Sequence, residues 1–143
     1  MRAPRWILRP FRRRPPADAL GRLGERAAAR ALGRQGYRIL ARRLRLEGAE
    51  VDLLALDGET LVLVEVKTTA MGGDVVPTAR VDSRKRARLA AAHRVLARDP
   101  RWAERAWRLD VVAVTVEERG LKGRRTRCEI HAGFSTRSPG SGA

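Results

Sequence analysis

Leu20, Leu23, Ala27 and Ala31 recur at helical spacing, and Glu25, Ala28 and Leu32 form an adjacent row. The pattern predicts a helix over residues 20–35, with Asp18 as a candidate N-cap and Gly36 as its stop. The period then changes from helical to alternating. Tyr37, Ile39 and Ala41 alternate with Arg38 and Arg42, which predicts a strand over residues 37–46. Two further apolar-rich runs, residues 50–56 and 59–67, flank Asp57-Gly58, a pair that favours a tight hairpin turn. A second helix is predicted over residues 83–98, capped by Asp82 or Ser83 and ended by Asp99-Pro100, with Lys85, Leu89, Ala92 and Leu96 on one face. Residues 109–116 read as an apolar strand buried on both faces. A turn through Gly120 and Gly123 leads to a last strand near residues 127–134. The order α-β-β-β-α-β-β implies an α/β domain, a mixed central β-sheet flanked by helices.

Register arithmetic on the hairpin brings out its chemistry. A two-residue turn at Asp57-Gly58 pairs Leu56 with Glu59, which sets Asp52 opposite Leu63 and Glu50 opposite Glu65. Side chains alternate faces with period two. One face then carries Val51, Leu53, Ala55, Thr60, Val62, Val64 and Val66. The other carries leucines near the turn and Glu50, Asp52, Glu65 and Lys67 at the far end. Carboxylates gathered on one end of an apolar hairpin repel each other unless a cation sits among them. Magnesium suits such a cluster, since it takes one or two carboxylates together with waters and phosphate oxygens; manganese is the alternative ion. A surface ion pair between Glu65 and Lys67 is the simpler reading of the same residues. The strand of residues 61–66 is apolar on both faces except at Glu65, which favours a central strand over a solvated one.

Charge widens the picture. The 143-residue chain carries a formal net charge of +15, a field that attracts polyanions, with nucleic acid ahead of an anionic membrane surface. Near-exclusive use of arginine among the basic residues sets part of that charge down to background composition. The three lysines are Lys67, Lys85 and Lys122, and the first two fall where an amine that can move a proton is of use. Residues 1–17 read as a flexible basic arm, residues 18–134 as the folded domain and residues 135–143 as a disordered tail. The arm lacks an apolar core and a cleavage signal, so it is not a secretory leader, and no apolar run approaches bilayer length, so no membrane span is expected. One cysteine, Cys128, fits a reducing cytoplasmic setting, and one Cys with two His gives no zinc spacing.

The pattern Asp52, then Glu65-Val66-Lys67, resembles the PD-(D/E)xK nuclease core. The wider strings GRLGERAAARALGRQGYRIL, GAEVDLLALDGETLVLVEVKTT and RLDVVAV are similar to the YraN family of bacterial proteins and, more distantly, to archaeal Holliday-junction resolvases. The resemblance covers about residues 20 to 116. It implies a restriction-endonuclease-like fold and a divalent-metal phosphodiesterase site. Asp52, Glu65 and the Val66 carbonyl would be metal ligands, with Lys67 orienting or activating the attacking water. Glu25 matches the helix glutamate that completes the site in the resolvase-like members, and Lys85 is a further candidate within reach. The chain departs from the family pattern at Val51, where proline is usual, at Ala49, where glycine is usual, and at Thr68 and Thr69, where a basic residue follows the lysine. The expectation is a magnesium-dependent endonuclease acting on DNA, with branched or structured DNA among its candidate substrates. A non-catalytic nucleic-acid-binding protein of the same fold, or an RNA- or ribosome-associated partner, are the alternatives.

Overall fold

The computed structural model describes residues 19–70 and 83–134. The basic arm, the candidate caps Asp18 and Asp82 and the expected tail lie outside the described residues. Seven principal elements follow one another as expected: α1 (Ala19–Arg34), β1 (Arg38–Leu46), β2 (Ala49–Asp57), β3 (Thr60–Ala70), α2 (Ser83–Leu96), β4 (Trp107–Glu118) and β5 (Arg124–Phe134). A one-turn helix, α3 (Pro100–Ala103), is added before β4. Asp99 caps it, accepting the Arg101 amide at 2.9 Å, and Pro100 supplies the preset φ of a first helical turn.

The strands form one sheet in the order β1-β2-β3-β4-β5. Of its four ladders the β3–β4 pair is parallel and the others are antiparallel, so the sheet is mixed. Ala27, Ala28 and Leu32 of α1 cover Leu53, Val62, Val64, Val112 and Val114 on one face. Leu89, Ala92 and Leu96 of α2 cover Leu54, Leu56, Leu61, Leu63 and Leu109 on the other. Each such leucine or valine contributes about 1.5–3 kcal/mol by leaving water. The small residues of α1 let it sit close to the sheet. A Cβ at Gly24 would lie 1.8 Å from Thr68 Oγ1, so only glycine fits there.

The hairpin register differs from the expected one. Asp57 pairs with Thr60 and Leu53 with Val64, so the turn is Gly58-Glu59. Gly58 holds φ at 56°, which suits the first position of a tight turn. Asp57 stays in the strand because Arg108 of β4 binds its carboxylate at 2.6 Å. The shift moves partners by two residues and leaves faces unchanged, so Asp52 comes into line with Glu65 rather than Leu63. Alternation also fails at one point. Val51 packs in the α2-side cluster while Leu53 packs on the α1 side. The break falls at Asp52, where the β2–β3 ladder ends, and at Arg43 of β1, whose φ of 50° interrupts the neighbouring strand.

The turn end of the sheet is tied by a polar knot. Asp110 is fully buried in the otherwise apolar β4. One carboxylate oxygen accepts Tyr37 Oη at 3.0 Å and Arg108 Nη2 at 3.2 Å. The other accepts Arg108 Nε at 2.9 Å and the Gly133 amide at 3.2 Å. Two donors meet each oxygen, which is the condition for burying a charge.

Candidate metal centre

Asp52 sits where β2 parts from β3. Its Oδ2 accepts the Val66 amide at 2.8 Å, so a side-chain oxygen satisfies a main-chain donor beyond the last paired residues. That bond fixes the carboxyl beside Glu65, which is 4% exposed. The two carboxyl groups act on each other electrostatically. Burial, and next the Glu65 charge, push the Asp52 carboxyl up to about 7, against the lowering influence of the Val66 amide and of Lys85.

Lys85, in the first turn of α2, binds Glu65 Oε1. The face that buries Leu89, Ala92 and Leu96 aims it there, since Lys85 heads the same row one turn earlier. Glu65 Oε2 is buried and accepts no hydrogen bond among the described residues. An anionic oxygen left bare in a buried site is costly unless a cation or donor meets it. Lys67 is half-buried two residues further along β3, on the Glu65 side of the strand.

Glu25 does not join this pair. Its Oε2 accepts Arg43 Nε at 2.6 Å, and the Glu25 side chain is 14% exposed. Arg43 is flanked by the pairs Arg42–Leu53 and Leu44–Val51, which sets it across from Asp52. Glu25 is therefore held on the α1 side by the guanidinium of Arg43. Glu50 lies two residues before Asp52 on β2, half-buried. Among the described residues no three His, Cys, Asp or Glu side chains form a metal-holding group. The acidic set is thus the Asp52–Glu65 pair, without Glu50 or Glu25 as a third carboxylate.

A hard, octahedral ion that keeps several waters needs no more than two protein carboxylates. The bare Glu65 Oε2 and the mutual repulsion of the pair fit a divalent cation there. The Arg43 partner of Glu25 has no signal in the sequence beyond being one arginine among many. Asp110, by contrast, is a lone acid inside an apolar run, and that is a legible sign of a buried polar network. His93 is another buried group outside the expected set. It stacks on Trp107 with centroids 4.1 Å apart, and burial lowers its pKa to about 4. It is a neutral member of the core.

Among the described residues no helix is long and apolar enough to cross a membrane. The model of the uncharacterised protein family UPF0102 matches residues 24–114. A UPF0102 protein of Ectopseudomonas mendocina is 41% identical over 102 residues, spanning 68% of this chain and 83% of that protein. One from Kineococcus radiotolerans is 42% identical over 104 residues, spanning 72% of this chain and 85% of that protein. The match to a UPF0102 protein of Pseudomonas entomophila is shorter, 42% identity over 71 residues, and spans 49% of this chain and 58% of the relative. The matched segment runs from Gly24 to Val114 and contains Asp52, Glu65, Lys67 and Lys85.

Proposed function

The chain belongs to the uncharacterised protein family UPF0102, and within that family we propose that it is a magnesium-dependent nuclease-type domain that hydrolyses phosphodiester bonds of DNA. The observation that carries this reading is the buried Asp52–Glu65 pair with a bare Glu65 Oε2. Asp52, Glu65 and the Val66 carbonyl would hold the ion. When bound, magnesium or manganese supplies Lewis acidity at the scissile phosphate and lowers the pKa of water. The residues do the rest. The Val66 amide pins the Asp52 carboxyl so that it needs no reorganisation when substrate arrives. Lys85 keeps Glu65 Oε1 and so leaves Oε2 as the free ligand atom. Lys67 adds positive charge beside the phosphate and orients the attacking water.

A formal charge of +15 supplies the sequence-independent attraction to a phosphate backbone, and the arginines of residues 1–17 extend it. A cytoplasmic nucleic-acid substrate accords with the single cysteine. The test is cleavage of a panel of linear, flapped and four-way DNA substrates, with magnesium, with manganese and with EDTA. Metal-dependent cleavage lost in Asp52→Asn and Glu65→Gln supports the reading; no cleavage of any substrate by the unmodified chain refutes it. One observation favours a second reading, a binding protein of the same fold without turnover. Lys85 already neutralises Glu65, and the described residues offer no third carboxylate. Salt-sensitive DNA or RNA binding that is indifferent to metal would single that reading out.

A further inference from the structure

On the other side of the sheet from Lys85 and Glu65, a groove of about 260 Å³ opens between the last two turns of α1 and the edge strand β5. Arg30, Arg34 and Gln35 line it from the helix, and Thr126, Cys128 and Ile130 from the strand. We propose that this groove is a second anion site, which takes a phosphate group of a nucleic-acid backbone independently of the carboxylate pair.

Three observations converge on it. The first is the unanswered charge. Arg30 and Arg34 are four residues apart on one helix face, an arrangement that is unfavourable for like charges. No acidic residue among the described residues lines the groove, and Glu25, Glu117 and Glu118 have arginine partners of their own, Arg43, Arg119 and Arg124. Among the described residues no carboxylate pairs with Arg30 or Arg34.

The second is the end of the helix, whose negative pole could otherwise have occupied the arginines. Its Ala31, Leu32 and Gly33 carbonyls are already met by main-chain donors. The Gln35 amide bonds to Ala31, Gly36 to Gly33 and Tyr37 to Leu32. The guanidinium groups are left to face the groove. The third is composition. Thr126 and Gln35 add neutral donors beside the two cations, while Ile130 gives an apolar wall. The volume falls just short of the range for drug-sized ligands, so the groove suits a phosphate with its sugar better than a whole cofactor. Arg34 acts on the Cys128 thiol electrostatically, which places the only cysteine of the chain inside the same groove as a reporter.

The experiment uses the full chain in EDTA, so that binding is read without cleavage and the fate of the nuclease reading does not enter. Binding of a labelled DNA duplex is measured over a range of salt for the unmodified chain and for the Arg30→Ala/Arg34→Ala variant. The expected result is a salt slope lowered by about 0.9 for each phosphate that the variant no longer neutralises. In parallel, the rate of Cys128 modification by a thiol reagent is followed with and without the duplex. Slowing of that reaction by the duplex in the unmodified chain, and disappearance of the slowing in the double variant, is the expected outcome. The unmodified chain alone decides the matter if the double variant does not fold. An unchanged modification rate on saturation with duplex overturns the proposal. Protection by inorganic phosphate or a mononucleotide, without protection by the duplex, overturns the nucleic-acid assignment in favour of a small-anion site.

Discussion

Replacing Asp52 by asparagine in metal-free buffer isolates the electrostatic cost of the candidate centre. Asp52 titrates at about 7 in the folded chain against its ordinary 3.8. The folded state therefore holds a proton that the unfolded state has released between those two values. Stability from this group is complete below pH 4 and is lost as pH rises through 7. Each pH unit in that window costs about 1.4 kcal/mol, so passing from pH 5 to pH 8 removes about 2–3 kcal/mol. Asparagine is neutral throughout, can still accept the Val66 amide through its carbonyl oxygen and can donate to Glu65. Asp52→Asn is therefore expected to melt modestly above the parent at pH 5 and well above it at pH 8. At about 4 °C per kcal/mol the gap widens by roughly 8–12 °C between the two pH values. Thermal denaturation in EDTA at the two pH values measures it, and the comparison cancels groups common to both chains. Magnesium is expected to close the gap at pH 8 by stabilising only the parent. A melting difference that is the same at both pH values would refute the account of Asp52 as a carboxyl burdened by burial and by Glu65.

Lys85→Met removes the cation that competes for Glu65, so manganese affinity, read by calorimetry, is expected to rise several-fold while the metal-free protein loses stability. Gly24→Ala is expected to destabilise by about 1–3 kcal/mol through overpacking against Thr68, measured by urea denaturation, with Thr68→Ala recovering part of the loss. Asp110→Ala leaves Arg108 and Tyr37 without their shared acceptor, and a cost of about 3–5 kcal/mol is expected from the same measurement. Deleting residues 1–16 is expected to weaken DNA binding without changing any cleavage pattern, read from the salt dependence of the isotherms.

The parts of this fold that were legible in the sequence are those governed by local rules. Helical spacing located α1 and α2, alternation located β1, apolar runs around Asp57-Gly58 located β2 and β3, and Asp99-Pro100 marked the end of α2, while the short α3 had no expected counterpart. The hairpin turn was displaced by one residue because Asp57 is retained in its strand by Arg108, fifty-one positions away. No local signal carries such a contact. The same holds for Arg43, whose left-handed backbone and bond to Glu25 depend on how α1 lies across the sheet. The juxtaposition of Asp52 and Glu65 survived the wrong register because a two-residue slip preserves faces. The β5 side of the groove was only partly visible, since β5 begins at Arg124 rather than near Arg127 and its pairing with β4 is set by the sheet as a whole.

The bond from the Val66 amide to Asp52 has a consequence for how relatives of this chain are read. On the proposed reading, selection for folding and selection for chemistry would fall there on one atom, Oδ2. A lineage that stopped turning over substrate would still need an acceptor at this position, and either aspartate or asparagine would persist. Among the described residues the Glu65 side chain accepts from no main-chain group, and Lys85 is the partner that binds it directly. On the proposed reading, drift at Glu65 accompanied by drift at Lys85 would therefore mark relatives without hydrolysis, whatever residue stands at Asp52.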